Sequence, residues 1–407
     1  MKARLRFFEM VKQVYFILVP ALIILHKPSL PLNTIAFDYI NLVFLGVFLV
    51  YFSARRKQLR VRLAFPFLVI LLGSVISMFN SIAVFTNIAT LIQDLYLYIV
   101  FIAMCNVIEN DRDMRTMVLS WIVAATIEAA LNIADLSVGA MLRAEGTFDN
   151  PNAAGYYLAM SFFLITVPYI AIPLVLRIVC GVLIILGMLA TKSTTALIGF
   201  MVASITIFLV YWLNMRMFEK IKYAITAVAF LVLIGFTVVP RIIGDSDFLN
   251  RGIGNAADRS RIWTAGYDSF VRHPFGIGPG GFKMGSEGPL NKEGTRWELH
   301  SDYISYLVER GMIGFLGLVL LFGALGAMIL RSYAYAGTPR ELLWALGLGG
   351  IYITTLVNSL THEGLHSRFA WIAFAIIATY DGQARRAKVN TKSTGRFTTA
   401  ALQVHQK

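Results

Sequence analysis

Residues 312–330 read MIGFLGLVLLFGALGAMIL, with no ionisable side chain among them. At 1.5 Å per residue, a helix of that length crosses about 30 Å of hydrocarbon. Thr194–Asn214 and Leu342–Leu360 are uncharged over similar lengths. The whole chain follows the same pattern. It is 57% hydrophobic and 14% charged, with a mean hydropathy of +0.68, where soluble domains carry about 25% charged residues. The composition places the chain in a bilayer as an all-α polytopic membrane protein.

Outward from that run, twelve spans are expected, centred near Val19, Leu45, Leu72, Tyr98, Ala125, Leu164, Ile184, Ile205, Phe230, Val319, Ile351 and Phe374. Assigning the loops to alternating sides puts 23 of the 36 Lys and Arg residues on one side. The positive-inside rule makes that side cytoplasmic, with both termini inside. The chain then divides into spans one to nine (1–239), a large outer loop (240–301), spans ten to twelve (302–382) and a basic, disordered tail (383–407). The net charge of +13 does not indicate nucleic-acid binding, because the basic residues sit in short loops between spans. Lys2, Arg4, Arg6 and Lys12 precede the first apolar run, which reads as a retained anchor. Cys105 and Cys180 lie in apolar runs, where no disulfide is expected.

The loop from Pro240 to Ser301 is the one long polar break. Within it Asp258–Val271 reads as a short amphipathic helix. Arg259, Ile262, Trp263, Gly266, Tyr267 and Phe270 share one face, and Arg261, Asp268 and Arg272 lie opposite. A guanidinium on the packed face needs an anionic partner, and its planar fork suits phosphate as well as a carboxylate. Gly276-Ile-Gly-Pro-Gly-Gly281 spells the dinucleotide fingerprint, but no strand precedes it and Pro279 interrupts it. The residues fit a tight turn, or backbone amides at Gly278 and Gly280 approaching a phosphate or sugar. His300 closes the loop just before the next membrane helix. A neutral imidazole near a positive helix end resists protonation and can act as a base.

Further polar groups fall on the same side. Arg143 precedes Phe148-Asp-Asn-Pro-Asn152, where Asn152 is a natural N-cap. Lys192, in the Thr191–Thr195 turn, is either a snorkelling residue or a second phosphate ligand. Asp94 and Glu128 lie inside apolar spans and need a cavity or a partner. His362-Glu-Gly-Leu-His366 matches the H-E-x-x-H zinc motif, but Gly364 falls at an expected turn and no convincing third ligand follows, so no metal is expected.

Taken in order, these residues resemble the O-antigen ligase/polymerase family of bacterial envelope glycosyltransferases. The resemblance runs through Phe148-Asp-Asn-Pro-Asn-Ala-Ala154, Arg259-x-x-x-Trp263, His273-Pro-Phe-Gly-Ile-Gly-Pro-Gly-Gly-Phe282, His300-Ser-Asp-Tyr303 and Glu309-Arg-Gly-Met-Ile-Gly314. It implies a GT-C-type fold of about twelve helices in the bacterial inner membrane, with a periplasmic active site. It implies a glycan donor on undecaprenyl pyrophosphate and a lipid A–core acceptor, with no cofactor and no nucleotide sugar. On this reading His300 and Arg259 are catalytic, and Arg143, Lys192, Asn152, Trp263, Gly278 and Gly280 bind substrate. The family's usual Ser-Arg pair after the seventh span is not kept, since Thr194 follows Ser193 and Lys192 precedes it. A polymerase acting on the same donor stays open beside the ligase, with a lipid-linked glycan transporter and a membrane zinc protease as readings from other classes.

Overall fold

A computed structural model describes residues 2–25, 35–55, 58–137, 143–165, 172–213, 246–284 and 298–404. Helices dominate, and no strand occurs among the described residues. In chain order they are α1 (Lys2–Ile24), α2 (Ala36–Arg55), α3 (Ala64–Ser77), α4 (Val84–Val107), α5 (Asp111–Ser137), α6 (Pro151–Ile165), α7 (Leu174–Ala190), α8 (Thr194–Leu213), α9 (Ser246–Arg272), α10 (Gly281–Met284), α11 (Asp302–Tyr335), α12 (Pro339–Thr361) and α13 (Arg368–Val404). Seven of them are long and apolar enough to cross a membrane: α1, α2, α4, α5, α8, α11 and α12. The other expected centres fall on the shorter α3, α6 and α7 and on α13, apart from the one near Phe230, which lies outside the described residues.

Packing follows side-chain size. Helices α3 and α11 cross where Gly73 faces Gly314, so close that a Cβ at Gly73 would collide with the backbone of α11. Small residues at a crossing let apolar helices gain van der Waals contact that lipid would otherwise supply. Helices α6 and α13 are the most enclosed, with Tyr156, Tyr157, Leu158 and Phe369 through Ala378 all buried. The connections gather at two ends. One end holds Ile24, Asp38, Thr147, the 191–195 turn, His300 and the 361–367 turn, tied by Thr147 to the Ile24 carbonyl and by a bidentate Arg368–Asp38 pair. The other end holds Arg60, Asn106, Arg62, Arg331 and Asp381.

Helix α13 runs on to Val404, and no proline follows Pro339 to stop it. Two local expectations need correction. Helix α9 starts at Ser246, twelve residues before Asp258, and takes in Gly252 and Gly254 at a cost of about 1 kcal/mol each. Lys12 is no loop charge: it lies within α1, buried, on Asp113 at 3.0 Å and Glu9 at 2.7 Å.

Helix α11 is broken. Gly311 sits at φ 67°, ψ −172°, a backbone that L side chains avoid. The groups freed by the break are taken up by the glycine-rich turn. Ile277 N–H donates to Val308 O at 3.3 Å, Gly278 N–H to Glu309 O at 2.9 Å, and Met312 N–H to Pro274 O at 3.0 Å. Irregular backbone at this depth survives only where protein satisfies it. Part of the segment between α9 and α11 therefore folds back into the bundle.

Candidate functional site

Helix α9 builds one wall of the site. Ile262, Gly266 and Ser269 are buried, and Ile262 packs with Ile277, Phe282, Leu299 and Val308 in a small core of its own. The buried arc centres on those residues, so Tyr267, about 100° away around the helix, is 62% exposed rather than packed. Arg259 and Trp263 lie at the rim of the arc, half-buried. The Trp263 indole N–H donates to Leu299 O at 3.1 Å and so fixes the residue before His300. That contact gives Trp263 an anchoring role. Arg259 has no ion-pair partner among the described residues, and burial lowers its pKa.

His300 follows in a left-handed backbone, φ 50°. Such a conformation costs about 1–3 kcal/mol for a residue other than glycine and persists only where its surroundings impose it. Trp263 holds one side. On the other, Ser301 caps α11, its hydroxyl accepting from Ile304 N–H at 3.4 Å. The imidazole is half-buried, and its pKa is lowered, first by burial and then by Arg259 and Lys283 against the opposing pull of Glu298. Glu298 itself is held low: burial pushes it up, but its hydrogen bond to Lys283 and the charges of Lys283, His300 and His362 together outweigh that.

The turn after α12 completes this group. Buried Asp302 accepts from Ser359 Oγ at 2.6 Å, Gly364 N–H at 3.0 Å and Leu365 N–H at 3.3 Å. These bonds lock residues 361–367 onto the start of α11. The Glu363 carboxyl accepts the backbone N–H of His300, and burial followed by the nearby Glu309 and Glu298 carboxylates raises its pKa well above the usual range. Burial and His300 push His362 down to about 4. His366 lies 3.9 Å from both Asp94 and Glu363. The H-E-x-x-H residues do not share a helix: His362 is extended and Gly364–His366 is a single 3-10 turn. The zinc-binding spacing therefore has no helical face to act on.

Arg143, Asn152 and the Lys192 turn come together. Arg143 donates from Nε to Thr191 O at 3.1 Å and from NH2 to Asn152 Oδ1 at 2.7 Å. Asn152 is not the cap of α6. Asn150 is, accepting from Asn152 N–H at 2.8 Å, with Pro151 as the first helical residue. Proline is pre-set for that position, which moves the cap one residue ahead of it. Lys192, like His300, is left-handed at φ 50°. Thr195 and Thr361 share a hydrogen bond of 2.6 Å, so this basic cluster adjoins the turn carrying His362.

The glycine turn resolves toward structure. Gly280 N–H donates to Glu309 Oε2 at 2.8 Å and Phe282 N–H to Glu309 Oε1 at 3.2 Å. The amides of Gly278 and Gly280 are thus occupied by Glu309, which stands where a ligand phosphate was expected. Next to it Arg310 is 1% exposed, bonded to Asp94 at 2.5 Å and Ser74 at 2.7 Å, with its guanidinium 4.5 Å from the centre of the Tyr306 ring. Sequence reasoning left Arg310 unassigned and missed Glu309, Glu363 and Asp302. An arginine inside an apolar run, followed by a glycine, is the signal that could have found the break.

Helices that span, a helix broken inside the bundle and a cationic, imidazole-bearing rim at one end define a multi-pass membrane protein with a site at one face. Residues 179–319, about a third of the chain, match the family model described as O-antigen ligase. The match takes in Lys192, Arg259, Trp263, His300 and Arg310, and leaves out Arg143, Asn152 and the 361–367 turn. No curated protein matches the chain.

Proposed function

We propose that this protein is an O-antigen ligase of GT-C type. It moves a glycan from undecaprenyl pyrophosphate to a sugar of the lipid A–core at the periplasmic face of the inner membrane. The observation that carries the reading is the pair at the rim. An imidazole held in a strained backbone and kept neutral stands within the field of a guanidinium that no described carboxylate neutralises.

In this mechanism Arg259 binds the donor's diphosphate through its planar fork. Arg143 and Lys192 add charge from the neighbouring cluster. The acceptor hydroxyl oxygen attacks the anomeric carbon and passes its proton to the His300 imidazole. The bond from that carbon to the diphosphate oxygen breaks as the new glycosidic bond forms, and undecaprenyl pyrophosphate leaves with its negative charge stabilised by the arginines. A single displacement inverts the centre. No metal has a step in this scheme.

Reconstitution with lipid-linked glycan and purified lipid A–core tests the reading. Transfer that survives chelator supports the scheme. A protein that moves the lipid-linked glycan across vesicles without cleaving it is a transporter, and one that joins only two lipid-linked glycans is a polymerase.

A further inference from the structure

The end of the bundle opposite His300 carries a second concentration of arginines, which the proposed reaction does not use. Asp381, buried on α13, is approached by Arg331 at 3.1 Å, Arg385 at 3.1 Å and Arg62 at 3.8 Å. Arg60 and Arg386 stand close enough to join them. Burial lowers the Arg62 pKa, Cys105 and Asp381 oppose it, and the charges of Arg60 and Arg385 add to the lowering; burial, Arg60 and Arg62 lower that of Arg386. One carboxylate neutralises one charge, so the cluster keeps a strong positive excess. The guanidiniums remain partly open, Arg331 at 33% and Arg385 at 50%.

The cluster is bordered by apolar side chains. Residues 58–62 lie between α2 and α3 outside any helix, pinned at Arg60 by Asn106 through bonds of 2.9 and 3.1 Å. Along them Leu59 is 46% and Val61 57% exposed, alternating with Arg60 and Arg62. Phe65 and Leu330 lie beside the same arginines, also exposed. A cavity of about 400 Å³ opens here, lined by Phe52, Gln58, Leu59, Arg60, Asn106 and Glu109. Membrane orientation needs only that basic residues lie in these loops. It does not need arginines from three separate segments to converge, nor an apolar border at their level.

We propose that this cluster and its apolar border form a binding site for an anionic phospholipid. The phosphodiester takes up the excess guanidinium donors, and the acyl chains lie on the apolar border. Basic pockets between membrane helices bind acidic headgroups through this combination, and arginine's fork suits the phosphate.

The test uses the full chain in detergent. Its unfolding temperature is followed while phosphatidylglycerol, cardiolipin, phosphatidylethanolamine or inorganic phosphate is added, and retained lipid is read by native mass spectrometry. Phosphatidylglycerol and cardiolipin are expected to raise the unfolding temperature, and phosphatidylethanolamine and inorganic phosphate to leave it unchanged. In Arg60→Gln/Arg386→Gln, two exposed positions, half-saturation should need about tenfold more anionic lipid or more. Arg261→Gln/Arg272→Gln at the other end should titrate like the parent. An equal shift with phosphatidylethanolamine, a shift reproduced by phosphate alone, or a double variant that titrates like the parent would overturn the proposal.

Discussion

Arg259 and Arg310 carry the same guanidinium, and the fold treats them in opposite ways. Arg310 is enclosed in the bundle, bonded through NH1 to Asp94 and Ser74 and set over the Tyr306 ring. Arg259 sits half-buried at the rim with no described carboxylate against it. A buried charge that is paired holds structure, because its desolvation is offset on the spot. A half-buried charge left unpaired at a rim is poised for something that arrives. The backbone repeats the contrast. The Gly311 break is satisfied by the glycine turn, whereas the strain at His300 is stored beside the site.

The comparison is broken most sharply at Arg310. Arg310→Ala strands Asp94 inside the bundle, which should cost about 3–5 kcal/mol. Loss of monodisperse protein in detergent is expected, with partial recovery in Arg310→Met/Asp94→Leu. A variant as stable as the parent would show that the pair holds nothing together. His300→Ala should fold like the parent yet lose transfer by about 10²–10⁴-fold, measured with reconstituted donor and acceptor while donor binding persists. Arg259→Ala should weaken donor binding as well as turnover, by about 1.5–3 kcal/mol. Arg259→Lys should recover only part, since lysine offers a point charge in place of the fork.

The pH profile sharpens the same contrast. His300 lies below the ordinary histidine value of about 6.5 because of burial and the nearby Arg259 and Lys283. The active form is the neutral one, so the rate should hold from neutral pH down through 6.5 and fall only below it. Arg259→Gln removes one of the two cations, and the acid limb should then move to higher pH. An unmoved limb would separate the two residues. The smallest expected effect concerns the α6 cap. Asn150→Ala should cost about 1 kcal/mol of stability. Asn152→Ala should leave the cap intact and alter donor affinity instead, through loss of its bond to Arg143.

Much of this was legible before any fold was known. The apolar runs place the helices, because length and hydropathy are properties of contiguous residues. His300, Arg259 and Arg143 stood out as polar groups in an apolar chain. The H-E-x-x-H match was set aside as a metal motif because Gly364 falls at a turn, and the backbone there gives His362 and His366 no shared helical face. What Gly278 and Gly280 bond to was not legible locally either. Their amides are claimed by Glu309, which follows them by some thirty residues.

What the sequence determined alone is an all-helical membrane chain with cationic and imidazole groups gathered in its connections. Those features depend on composition and short-range spacing. The tertiary structure decided which charges are spent and which are left open. It set Glu309 into the glycine turn, Asp94 onto Arg310 and Asp302 under the 361–367 turn, while leaving Arg259 beside His300. Pairing in three dimensions brings together residues far apart in the chain, and desolvation makes each such pair decisive. No local pattern encodes it.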